Sequence, residues 1–80
     1  MNTDDIENKI KEKFPNAEIK ITTDGHRFRA IITDETFAPY SKIERESQVN
    51  ALFFNDFQAR TLHALSLKII VPSEINDGNE

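Results

Sequence analysis

The chain has 80 residues, no cysteine and a formal net charge of −4. That length suits one domain over residues 1–80 and leaves little interior for a deep catalytic cleft. Without thiols there can be no disulfide, thiolate nucleophile or cysteine metal site, and the acidic balance opposes general affinity for polyanions.

The N-terminus, Met-Asn-Thr-Asp-Asp-Ile-Glu, has neither a basic nor an apolar segment, so no secretory signal is expected. No apolar run approaches the roughly 20 residues of a membrane helix, and a soluble, cytoplasmic protein with no membrane partner is the expectation. Thr3, followed by Asp4 and Asp5, reads as a capped helix start. Ile6, Ile10 and Phe14 then recur every four residues as one apolar stripe, and Pro15-Asn16 ends the helix, which is predicted over about residues 4–14.

Ala17, Ile19 and Ile21 alternate with polar residues as a half-buried strand. Asp24-Gly25 signals a turn, and the β-branched pattern from Phe28 to Thr33 predicts the second arm of an antiparallel hairpin, with His26 at its tip. The segment from Asp34 to Pro39 should make one helical turn. Ser41 and Glu44 form a capping box for a second helix, predicted to run to about Gln58 with Ile43, Val49, Leu52, Phe53 and Phe57 inward and Phe54 outward.

Thr61 to Pro72 is the longest apolar run. Leu65, Leu67, Ile69 and Val71 share one parity, while Leu62, Ala64 and Ile70 lie on the other, which predicts a central strand opened by His63. Pro72-Ser73-Glu74-Ile75 should begin a short last helix, and 76–80 should fray. A long helical connection between the second and third strands implies a right-handed crossover and parallel pairing. The expected fold is therefore α+β, with a three-stranded mixed sheet and the helices packed on one face.

Chemistry is sparse. Neighbouring carboxylates such as Asp34 and Glu35, or Glu44 and Glu46, do not face each other on a helix, and Gly25 alone makes no phosphate loop. Catalysis has the least support, so no enzyme is expected. On residue type alone, His63 reads as a hydrogen-bonded residue at a strand start and His26 as an exposed loop residue. Lys42, Arg45, Arg60 and Lys68 outline a small basic face on or near the second helix.

In order and spacing, Asp24-Gly25-His26-Arg27-Phe28, then Phe37 with Ser41, Ile43, Arg45 and Val49, then Leu62-His63-Ala64-Leu65-Ser66-Leu67-Lys68 and Pro72-Ser73-Glu74 resemble the BolA-like family. The resemblance implies a K-homology-like αββαβ domain. It also implies a non-enzymatic adaptor that pairs with a monothiol glutaredoxin beside the final strand and shares a [2Fe-2S] cluster with it and glutathione. Such an adaptor acts in iron-sulfur cluster trafficking or in iron, redox and stress regulation. By the same resemblance His63 is a cluster ligand, and the second ligand, from the loop between the first two strands, falls to His26. The chain isolated from its partner is expected to carry no cofactor.

The sequence departs from the family pattern at Pro39, where a glycine is usual, and at Glu44-Arg45-Glu46, where a basic segment is usual. His26 also stands one residue before the usual histidine, a place held here by Arg27. The alternative is a K-homology-like nucleic-acid-binding transcriptional regulator, contacting DNA through Lys42 and Arg45. A homodimer is the third arrangement the sequence leaves open.

Overall fold

The computed structural model describes residues 1–78. Helix α1 (Thr3–Lys13) is capped by Asn2, whose side chain accepts from the Asp5 N–H while the Asp5 carboxylate accepts from the Asn2 N–H. The start thus lies one residue before the expected Thr3, because only Asn2 has a carboxylate three positions on to complete the reciprocal box. Strands β1 (Glu18–Thr23) and β2 (Phe28–Thr33) form the antiparallel hairpin. A single 3₁₀ turn (Glu35–Phe37) follows, capped by the buried Asp34, whose carboxylate accepts from the Thr36 N–H.

Helix α2 (Lys42–Ala51) opens on the predicted Ser41–Glu44 box. The single helix expected up to Gln58 is instead broken at Leu52-Phe53, and α3 (Phe54–Gln58) starts anew. The Lys9 ammonium of α1 donates to the Leu52 carbonyl at 3.4 Å and to the Asp56 carboxylate at 2.9 Å, and it sits 5.8 Å from the Phe53 ring centroid. A cation serving a main-chain carbonyl in mid-segment is a recognised cause of such a break. The break lets Phe53 bury fully. Ile43, expected inward, is 79% exposed; six residues before the buried Val49, it is rotated about 120° from the core side of α2.

Strand β3 (Leu65–Ile70) pairs in parallel with β2, and α4 (Pro72–Gly78) closes the fold. The sheet order is β1-β2-β3, so the middle strand is β2 and β3 lies at an edge, contrary to the expected central position. The extended apolar run arises differently. Leu62 and Val71, one on each side of β3, are both buried and extend the apolar run beyond the strand itself. The backbone of α4 reaches Gly78, so the tail expected to fray over 76–80 begins as helix; residues 79 and 80 lie outside the described residues.

Register fixes the two faces of the sheet. Ile19 and Ile21 oppose Ile32 and Ala30, which in turn pair with Ile69 and Leu67, and all six face the helices. Beneath the helices they meet Ile6, Ile10 and Phe14 of the α1 stripe, together with Phe37, Val49 and Phe53. The Phe14 and Phe37 rings lie 4.6 Å apart, tilted by 38°. The opposite face carries the rows Thr22–Arg29–Ser66 and Lys20–Ile31–Lys68 and is not covered by any helix. Among the described residues, no helix is long and apolar enough to cross a membrane.

Candidate functional site: two imidazoles at one end of the sheet

His63 lies two residues before β3, and its side chain is exposed. Its backbone is held from both sides. Leu62 is buried, and the Ala64 carbonyl accepts from the Phe28 N–H at 3.1 Å. Upstream, the N–H groups of Thr61 and Leu62 both donate to the Asp56 carbonyl, and the Thr61 hydroxyl donates to the same residue. Since Lys9 grips the Asp56 carboxylate, α1, α3 and the approach to His63 are one connected unit. The reversal uses Arg60 at φ +61°, a left-handed conformation usually taken by glycine after a helix.

His26 occupies the hairpin tip and is likewise exposed. Asp24 organises this turn, one carboxylate oxygen accepting from the N–H groups of His26 and Arg27, both at 2.9 Å. These bonds, that from Arg27 first, hold the Asp24 carboxyl below its usual range. Gly25 sits at φ +102° with open space around a would-be Cβ, so conformation, not crowding, calls for glycine. The turn therefore presents His26 from an ordered backbone.

The register joins the two histidines. Phe28 pairs with Leu65 where both strands begin, and His26 and His63 each precede that pair by two residues, outside the strands. Both imidazoles thus belong to the same end of the sheet. Among the described residues no three His, Asp or Glu side chains gather as a metal site, so this end supplies at most a pair of nitrogen ligands.

Arg45 has a different employment. Its Nε donates to the Phe37 carbonyl at 2.9 Å, Nη2 reaches the Ala38 carbonyl at 3.3 Å, and both terminal nitrogens grip the Glu74 carboxylate at 2.8 and 2.6 Å. The guanidinium lowers the Glu74 pKa, and Glu74 raises that of Arg45. Only 14% of the Arg45 side chain is exposed. The Glu35 carboxylate adds a second tie by accepting from the N–H and hydroxyl of Ser73. Together they fasten α4 to the 3₁₀ turn and α2. Lys42 is exposed at the start of α2 and forms no ion pair among the described residues. Sequence reasoning missed the Arg45–Glu74 clamp, although it had singled out both residues.

These features define a small α+β domain with an antiparallel hairpin, a parallel third strand, helices on one face and two histidines at one sheet end. A family model described as BolA-like protein matches residues 4–74, and the chain belongs to the BolA-like family. A BolA homologue from Coxiella burnetii is 28% identical, with 95% of this chain and 97% of that one covered and a TM-score of 0.76. A BolA-like hypothetical protein from Rickettsia prowazekii is 27% identical over 88% of this chain and 94% of that one, with a TM-score of 0.68. BolA1 from Arabidopsis thaliana, 23% identical with coverages of 92% and 96% and a TM-score of 0.78, shares the fold. No curated protein matches the chain.

Proposed function

We propose that this protein is a non-enzymatic adaptor that pairs with a monothiol glutaredoxin and contributes His63, with His26, to a shared [2Fe-2S] cluster. The observation that supports this reading is the β2–β3 register, whose first pair, Phe28 and Leu65, follows each of the exposed His26 and His63 by two residues. The donor set fits a shared group rather than a private one. Two imidazoles suffice for one iron, and a chain without cysteine leaves the thiolates to the partner and glutathione. Histidine in place of thiolate on one iron raises the reduction potential and makes the ligation sensitive to protonation.

The chain's own part is positional. Leu62 and the Ala64–Phe28 bond fix the backbone on either side of His63, and the Asp24 turn orders the backbone of His26. Nothing comparable favours nucleic acid. Of the two residues expected to contact DNA, Arg45 is engaged by Glu74, and Lys42 alone is left to meet a phosphate.

The test is to mix the protein with a monothiol glutaredoxin, glutathione, iron and sulfide, and record visible absorption and circular dichroism against glutaredoxin alone. A cluster spectrum altered in a one-to-one complex, and reverting in His63→Ala, is the expected result. A His63→Ala complex with the wild-type spectrum would remove His63 from the ligand set.

A further inference from the structure

The free edge of β3 differs from an ordinary sheet edge. Its Ala64 carbonyl accepts from Phe28 and its Ile70 carbonyl from Asp34, so the even-numbered residues point their main-chain groups toward β2. Main-chain direction alternates along a strand, so the N–H and C=O groups of Leu65, Leu67 and Ile69 point away from the sheet. Among the described residues no further strand pairs with them.

Beside that edge lies an open groove of about 420 Å³, lined by residues 67–69 of β3, by Lys42, Arg45 and Glu46 of α2, and by Glu74. Arg45 and Glu74 neutralise one another there. Lys42 and Lys68 are exposed and form no ion pair among the described residues. Lys68 also heads the cross-strand row Lys68–Ile31–Lys20 on the uncovered face, next to Arg29 in the adjoining row. The outer flank of this edge of unpaired backbone groups is thus cationic, in a chain whose net charge is −4, whereas on the groove side the Glu46 carboxylate stands against Lys42.

We propose that the free edge of β3 is a strand-addition site for an extended acidic segment of a partner protein. The segment's backbone pairs with Leu65, Leu67 and Ile69, and its alternate side chains, all on one face of the extended segment, bring carboxylates to Lys68 on the outer face. Lysine at a sheet edge ordinarily discourages pairing with another strand. Its effect depends on the incoming charge: a basic or uncharged strand buries the cation without compensation, whereas an acidic one neutralises it. Two copies of β3 paired edge to edge in the register symmetric about Lys68 would set the two lysines opposite each other, which disfavours that self-association. Nucleic acid is a poorer occupant, because the exposed sheet rows contain no aromatic ring on which a base could stack. This mode of recognition takes affinity from main-chain bonds and specificity from side chains.

The inference needs no cluster, and its test uses the protein alone. A short capped peptide of alternating Glu and Thr is titrated into isotopically labelled protein, with an alternating Lys and Thr peptide as control. Amide resonances of Leu65, Leu67 and Ile69 should shift and gain protection from exchange, while those of Ser66 and Lys68, already turned toward β2, gain none. Binding should weaken with salt, and the charge-reversed variant K68E should bind about threefold to tenfold more weakly, as expected for the loss and inversion of one exposed pair. Absence of binding at about 1 mM peptide, equal binding of the lysine peptide, or protection without the odd-even alternation would each overturn the proposal. So would concentration-dependent dimerisation that protects the same odd-numbered amides without peptide.

Discussion

Replacing Arg60 by glycine should stabilise the protein, although it removes a charged side chain from the loop leading to the candidate ligand. Arg60 holds φ +61°, and its guanidinium makes no hydrogen bond or ion pair among the described residues. The turn is fastened by the main chain, the Arg60 N–H donating to Phe57 at 3.2 Å and the Thr61 N–H to Asp56 at 3.0 Å, and these bonds survive the substitution. The left-handed region costs an L-residue about 1–2 kcal/mol, while the freer unfolded chain of a glycine returns about 0.5–1 kcal/mol of that. The net gain is about 0.5–1 kcal/mol, which for a domain of this size raises Tm by about 2–8 °C. Arg60→Ala keeps the strained φ and should stay within about 0.5 kcal/mol of wild type. Thermal and urea denaturation followed by circular dichroism measure both variants. An Arg60→Gly protein no more stable than Arg60→Ala would refute the assignment of strain to this residue. Cluster assembly with glutaredoxin should be unchanged in Arg60→Gly, since the backbone path to His63 is the same.

Other expectations concern separate parts of the fold. Gly25→Ala forces a Cβ into φ +102° and should cost about 1–2 kcal/mol in urea denaturation, with the hairpin amides exchanging faster than the rest. Phe53→Ala empties a fully buried site at the break between α2 and α3 and should cost about 3–5 kcal/mol, measured the same way. Arg45→Lys keeps the charge but loses the forked contact with Glu74, so hydrogen exchange at Ser73 and Glu74 should quicken as α4 loosens. Asp24, Glu44 and Glu74 all have lowered pKa values in the folded chain, held down respectively by the Arg27 and His26 N–H groups, the Ser41 N–H and the Arg45 guanidinium. Their stabilising contribution is complete above the ordinary carboxylate pKa values near about 4 and is lost as pH falls through the lower folded values. Urea midpoints measured downward from pH 6 should therefore decline below about pH 4, and Glu74→Gln should flatten part of that decline.

Much of this architecture is written in short-range pattern. The 3.6-residue stripe of Ile6, Ile10 and Phe14, the alternation in β1 and β2, the Asp24-Gly25 turn and the Ser41–Glu44 cap each involve residues close in sequence. Their physical causes are local, and they appear in the structure at the expected places. His63, with its neighbours Ala64-Leu65-Ser66-Leu67, likewise carries the family resemblance in the sequence itself. Three features required the assembled chain. Only the sheet order shows that β2, not β3, is the middle strand, because a long apolar run does not tell whether its strand has a neighbour on one side or on both. The break at Leu52-Phe53 depends on an ammonium group from α1, far away along the chain. The Arg45–Glu74 clamp converts a basic residue that resembled a phosphate contact into a fastening for α4. Composition and periodicity mark most of the residues that turn inward and most segments that become helix or strand, since burial and main-chain bonding act over neighbouring residues, but not the exposure of Ile43 or the break after α2. Which side chain meets which across the fold is decided by packing between distant segments. That packing sets β2 beside β3, with His26 and His63 each two residues before the first pair.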